Sequence, residues 1–228
     1  MLRTSRPLAA AGLSLVSSAL VVGTAGTAFA ATNYPTTLTI AAPASVASGA
    51  AGTVMGHLVL QGTPFGLSGE KVALYDRVHG SSAWTLVATH STNSSGNVSF
   101  VVKPSKAEDY QLRHAKDNYT QASTSGTKET KIAYRVQANL TKTKAAAGAS
   151  DAVTATVSPN AKGATVSLQL KGSNGWTKVA SKALSNSSTA SFAIKAPSKA
   201  GKYSYRVIKA ASSSYVAGTS NVVVLTVS

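Results

Sequence analysis

One series of landmark residues occurs twice along this chain. Gly69-Glu70-Lys71-Val72-Ala73-Leu74 leads to Trp84-Thr85-Leu86-Val87-Ala88, then to Phe100, Pro104-Ser105-Lys106-Ala107, Tyr110 and Arg113. Gly163-Ala164-Thr165-Val166-Ser167-Leu168 leads in the same way to Trp176-Thr177-Lys178-Val179-Ala180, Phe192, Pro197-Ser198-Lys199-Ala200, Tyr203 and Arg206. Trp to Phe spans 16 residues in both copies, Pro to Tyr spans 6, and Tyr to Arg spans 3. A chain with such a series is built from two copies of one unit. The copies differ mainly at turns, where the tip Val78–Ala83 is longer than Gly172–Gly175.

Each copy reads as short strands with period-two alternation, punctuated by Gly, Ser, Asn and Pro clusters. Val72 and Leu74, then Val98, Phe100 and Val102, then Tyr110 and Leu112 share one face in the first copy. Val166, Leu168 and Leu170, then Ala190, Phe192 and Ile194, then Tyr203, Tyr205 and Val207 do so in the second. The alanine-rich pieces at 41–51 and 144–149 contain Pro43, Gly49 and Gly148, with Gly52 directly after the first, so they read as turns rather than helices. Val222 to Ser228, Val-rich with Thr226 between Leu225 and Val227, reads as a last strand. About seven strands per hundred residues predicts an all-β fold, two tandem Ig-like Greek-key β-sandwiches.

The run from Gly69 through Trp84, Ser95-Gly96-Asn97-Val98-Ser99-Phe100 and Tyr110-Gln111-Leu112-Arg113 resembles the immunoglobulin-like repeat modules of secreted actinobacterial proteins. The second copy follows that pattern less fully, lacking the glycine after Ser187-Ser188. The resemblance implies fold and setting rather than an activity, since such modules serve as spacers, adhesive units or adapters. Tyr110-Gln111-Leu112 and Tyr203-Ser204-Tyr205 suggest the tyrosine corner that opens strand F of such domains, with Leu112 and Tyr205 where antibody domains carry a cysteine.

The first 30 residues have the layout of a cleavable signal peptide. Arg3 and Arg6 precede an apolar stretch from Leu8 to about Val22, and Ala28-Phe29-Ala30 forms the cleavage site. The expected organisation is therefore a leader at 1–30, one sandwich at 31–134 and a second at 135–228, joined without a Gly/Ser-rich linker and so at a fairly fixed angle. The expected location is extracellular, with cell-wall association as an option. The absence of cysteine excludes disulfides, thiol nucleophiles and Cys metal sites. No run after the leader is apolar enough to span a membrane.

Charge divides unevenly. Eight Lys/Arg face six Asp/Glu between Ala31 and Tyr134, whereas twelve face Asp151 alone from Arg135 onward. The second copy is thus a basic domain that attracts polyanions such as an anionic wall polymer, or it carries its lysines for solubility, since lysines spread singly over strands make no patch. Nucleic acid is disfavoured by the exported setting and by the low aromatic content.

Nothing in the chain has the pattern of a catalytic, cofactor or metal site. All four histidines, His57, His79, His90 and His114, lie in the first copy, and a triad using His114 and Asp117 finds no Gly-x-Ser-x-Gly or comparable support. Glu108-Asp109 and Asp117-Asn118 lack the alternating carboxylates of a calcium loop and read as solvated turn residues. The residues assigned to partner binding are Trp84, Trp176, His79, Lys178 and Lys182. Each Trp begins a strand, and Lys178 falls on the Trp176 face, so that face is expected to be wet. Each ring is then a partner anchor or a rim residue folded over the sheet edge behind a bulge. The leading expectation is a non-catalytic binding or scaffold protein, an adapter joining protein partners in a secreted or surface assembly, with strand edges open to a partner's strand and Ala31 to Ile40 as a donated strand. The alternatives are a wall or polyanion binder acting through the basic second domain, and a protease inhibitor using the hairpin at His79.

Overall fold

Alternating Val, Leu, Ile and Phe with Thr and Ser gives segments apolar on one side only, and pairs of such sheets bury those sides against each other. The computed structural model describes residues 33–228, so the leader expected at 1–30 and its junction at Ala31 lie outside the described residues. The first copy contains β1 (Thr36–Ala41), β2 (Ser45–Ala47), β3 (Gly52–Leu60), β4 (Lys71–Val78), β5 (Thr85–Ser91), β6 (Asn97–Val102), β7 (Glu108–His114), β8 (Ser123–Thr124) and β9 (Lys128–Ala133). The second contains β10 (Arg135–Leu140), β11 (Lys144–Ala145), β12 (Ser150–Ser158), β13 (Thr165–Gly172), β14 (Gly175–Ala183), β15 (Thr189–Lys195), β16 (Gly201–Lys209), β17 (Gly218–Thr219) and β18 (Val223–Val227).

Each copy pairs a three-stranded sheet with a larger one. The first uses β1-β3-β6 and β2-β9-β7-β4-β5, and the second uses β10-β12-β15 and β11-β18-β16-β13-β14. All ladders are antiparallel except the short pairs β2 with β9 and β11 with β18. These are immunoglobulin-like sandwiches with the same strand order in both copies. No helix among the described residues is long and apolar enough to cross a membrane.

The faces read from the alternation are the cores. Val54, Leu58, Val72, Leu74, Phe100, Tyr110 and Leu112 are at most 2% exposed in the first sandwich. Val153, Val166, Leu168, Val207 and Leu225 are fully buried in the second, with Phe192 beside them. The open side between β5 and β6 is closed by His90, whose Nδ1 donates to the Ser99 carbonyl at 2.8 Å while its ring stacks on Phe100 at 4.6 Å. In the second sandwich Lys182 Nζ donates to the Ser191 carbonyl at 2.9 Å. Both pairings occupy edge-strand carbonyls that would otherwise template another strand.

Four expectations change. The alanine-rich pieces carry the short parallel strands β2 and β11 rather than turns alone. Thr36–Ala41 is β1, paired with β3 of its own sandwich through six residues, so this segment is not available as a donated strand. The match of Tyr110 to Tyr203 is out of register by two. Leu74 faces Leu112 in one copy and Leu168 faces Val207 in the other, which makes Tyr110 the counterpart of Tyr205 and Leu112 that of Val207. A shift of two leaves every side chain on the same face, which is why the core was read correctly. The corner bond likewise belongs to one tyrosine only. Tyr203 Oη donates to the Lys199 carbonyl at 2.8 Å, whereas Tyr110 Oη donates to the Glu108 carboxylate at 2.6 Å.

Truncating Leu112 to Ala is expected to cost about 2–5 kcal/mol in denaturant unfolding. Val101→Ala, on the outer face at 75% exposure, is expected to stay within about 0.5 kcal/mol.

Candidate functional site

A single residue, Tyr134, separates β9 from β10. Tyrosine is apolar enough to enter a core and polar enough to need a partner for its hydroxyl. Here the residue is 7% exposed and belongs to the core of the second sandwich, and its hydroxyl donates to Ser212 Oγ at 3.1 Å. The Tyr215 ring lies 5.1 Å away, and the buried Lys209 ammonium sits 4.5 Å above the Tyr134 ring while donating to the Ala210 carbonyl. The backbone is tied as well. Tyr134 N–H donates to the Val216 carbonyl at 3.1 Å and Val216 N–H donates to the Ile132 carbonyl at 2.9 Å, forming a parallel bridge beside Ala133. Gly218 completes the contact, because a Cβ there would stand 2.0 Å from the Tyr134 carbonyl oxygen.

The 211–216 loop, held in this way, forms one wall of an open cleft of about 620 Å³. Val78, His79, Lys106, Glu129 and Lys131 form the other wall. His79, read as a hairpin-tip residue, follows the last residue of β4 and is fixed by an acid beneath it. Its Nδ1 lies 2.8 Å from Asp109 Oδ1, and Arg77 Nε donates to Asp109 Oδ2 at 3.0 Å. Asp109 was expected in a solvated turn, but it is a residue of β7 and only 4% exposed. Burial opposes its charge, yet the hydrogen bonds from His79 and Arg77 outweigh that and hold the carboxyl below its ordinary range. The bond to Asp109, then the charges of Asp109 and Glu129, raise His79 above its ordinary value. Glu129 stands 3.8 Å from His79 Nε2 and 3.7 Å from Lys131 Nζ, so the wall is an alternation of exposed cations around one acid.

The two tryptophans are placed alike, and neither lines this cleft. Each sits on the outer face of its larger sheet, half-buried under a guanidinium: Arg77 lies 4.5 Å over the Trp84 ring, and Arg206 lies 4.3 Å over Trp176. Pairing slips between Leu74 and Tyr75 and between Leu168 and Gln169, leaving Val87 and Val179 as exposed bulge residues. Strict alternation would put Trp84, Leu86 and Ala88 on one face, and the bulge divides them. Leu86 stays outward with Trp84, while Ala88 turns inward opposite Leu74. Lys178 is exposed on the outer face with Trp176, and Lys182 is the edge-closing residue described above. The structure therefore brings none of Trp84, Trp176, Lys178 or Lys182 to the His79 cleft. The arginines over the rings were missed as partners of the tryptophans, although the repetition of Arg113 and Arg206 was visible.

Glu70, His114 and Asp117 place ligand atoms within 4.8 Å of one another. His114, however, is buried with both nitrogens engaged, Nδ1 by the Lys71 carbonyl at 3.0 Å and Nε2 by the Thr120 hydroxyl at 2.8 Å. Asp117 Oδ1 accepts from the Tyr119 and Thr120 N–H groups, which lowers that carboxyl far below its usual range. Burial and then the hydrogen bond to Asp117 raise Glu70. Thr120, the hydroxyl on the histidine, is 4% exposed and out of reach of a substrate. This cluster fastens a turn rather than presenting a nucleophile.

No family model matches the chain, and no curated protein matches it. Among solved structures it is similar to E. coli alpha-2-macroglobulin in its native conformation (10% identity, TM-score 0.39), covering 87% of this chain and 17% of that one. The D0-D1 domain of intimin shows 17% identity and a TM-score of 0.32 over 83% of this chain and 97% of its own. The human OSCAR ligand-binding domain shows 14% identity and a TM-score of 0.31 over 85% and 100%. The chain thus spans about a sixth of the alpha-2-macroglobulin chain it matches.

His79 is expected to titrate above about 6.5 in an NMR pH series, and Asp109→Asn to bring it back down. Its contribution to stability is complete below about 6.5 and fades as pH rises through the raised value, whereas that of Asp109 is complete above about 3.9 and is lost on acidification. A His79 midpoint at or below the ordinary value contradicts the contact.

Proposed function

We propose that this chain is an exported, non-catalytic binding and scaffold protein, an adapter that presents two sandwich surfaces to protein partners in an extracellular assembly. In this reading residues 1–30 are removed on export, and 31–134 and 135–228 are the two units, of the kind repeated in secreted actinobacterial proteins. The observation that carries it is the cleft beside Tyr134. Its walls come from both copies and are held by backbone hydrogen bonds, and it exposes His79, Lys106 and Lys131 around Glu129. A prearranged open groove with a few convergent polar groups suits the insertion of a partner's loop, because little ordering is left to be done on binding.

Ser214 stands exposed on the 211–216 wall, so Ser214→Trp fills the cleft without touching a core. Tagged mature protein incubated with culture supernatant is expected to retain a protein partner at fixed stoichiometry. Ser214→Trp, with unchanged circular dichroism, is expected to retain at least about tenfold less, the scale of one blocked central contact. Equal retention by both proteins, or recovery of monomer alone, contradicts the proposal.

A further inference from the structure

The outer face of β11-β18-β16-β13-β14 collects cations that the sequence scatters. Directly paired residues share a face, so the ladders decide which side chains stand together. Lys144 is level with Thr226, which pairs with Lys202. Lys171 pairs with Trp176, and Gln169 pairs with both Lys178 and Arg206. Lys144, Lys171, Lys178, Lys202 and Arg206 therefore stand on one side of a sheet about 19 Å across, at about 4.8 Å per strand. The four lysines are exposed, and Arg206 is half-exposed across Trp176.

The same face of the first sandwich shows what is missing. There Asp109 and Glu129, themselves paired, neutralise Arg77, His79 and Lys131. Their counterparts by register in the second sandwich are Ser204 and Val224, also paired. The second copy's acid, Asp151, lies on the other sheet in β12 and is 9% exposed, its Oδ1 taken by the Lys142 and Ala152 N–H groups. Among the described residues the second sandwich has no ion pair. Five cations held on a rigid face without a counter-charge form a field that a chain of evenly spaced anions neutralises best, by releasing its own counterions.

We infer that this face binds a linear phosphodiester polymer without bases, such as a poly(polyol phosphate). Phosphate is the anion that ammonium and guanidinium groups contact singly along a backbone. A nucleic acid is the weaker fit, because the aromatic ring of this face, Trp176, is already covered by Arg206 and leaves no platform for base stacking. Binding by the purified chain does not depend on the adapter reading, which uses the cleft beside Tyr134.

The test is titration of the mature protein with poly(glycerol phosphate) and with oligo(dT), followed by fluorescence anisotropy of the labelled polymer. Binding of poly(glycerol phosphate) is expected to fall roughly 100-fold between about 50 and about 200 mM salt, the slope for about five phosphate contacts. Lys171→Glu/Lys202→Glu is expected to lose at least about tenfold. Lys162→Glu/Lys195→Glu changes the net charge equally but lies off this face, and is expected to stay within about threefold. Should the first pair fail to fold by circular dichroism, Lys144→Gln/Lys178→Gln reads out the same face. Equal losses in the face and control variants, no binding at the lower salt, or tighter binding of oligo(dT) than of poly(glycerol phosphate) would each overturn the inference.

Discussion

Burial of Tyr134 is the constraint on which the arrangement of the two copies depends. A one-residue connection between two strands leaves no slack, and this residue is a member of the second core, with its N–H bonded to Val216, whose own N–H returns to Ile132 in the last strand of the first copy. Lys209, Tyr215, Ser212 and the bare Cα of Gly218 each make room for it or hold it. A buried ammonium without a carboxylate is costly unless its charge finds other partners. The Tyr134 ring face and the Ala210 carbonyl provide them. The cleft exists because the loop that grips Tyr134 is held beside the His79 wall.

On this frame the two copies have diverged in their surfaces and kept their interiors. Leu74 and Leu168, Leu112 and Val207, Phe100 and Phe192 occupy matching positions in the two cores. Outside, Asp109 and Glu129 are exchanged for Ser204 and Val224, while Ser45, Leu86 and Gln111 are exchanged for Lys144, Lys178 and Arg206, so that a compensated network in one copy stands where the other has an uncompensated cationic face.

Much of the fold was legible because period two is a local signal that reports burial directly. Val72, Leu74, Phe100 and their counterparts needed no knowledge of pairing. What depended on pairing was not legible. The Pro-to-Tyr and Tyr-to-Arg spacings matched in the two copies, yet β16 aligns with β7 two residues further along, and neither strand's composition records that. The bulges at Val87 and Val179 are equally silent in sequence, and they reverse the side on which Ala88 and Ala180 fall. Asp109 next to Glu108 had the look of a turn. Only the register that sets it opposite Arg77 and beside His79 explains how a buried carboxylate is tolerated.

The central claim is that Tyr134 fastens the two sandwiches into one body. Backbone residual dipolar couplings of the chain in a dilute aligning medium test it most directly. The account predicts that couplings from β1–β9 and from β10–β18 fit one common alignment tensor. Two tensors of different magnitude or orientation, as for domains moving independently, would contradict it.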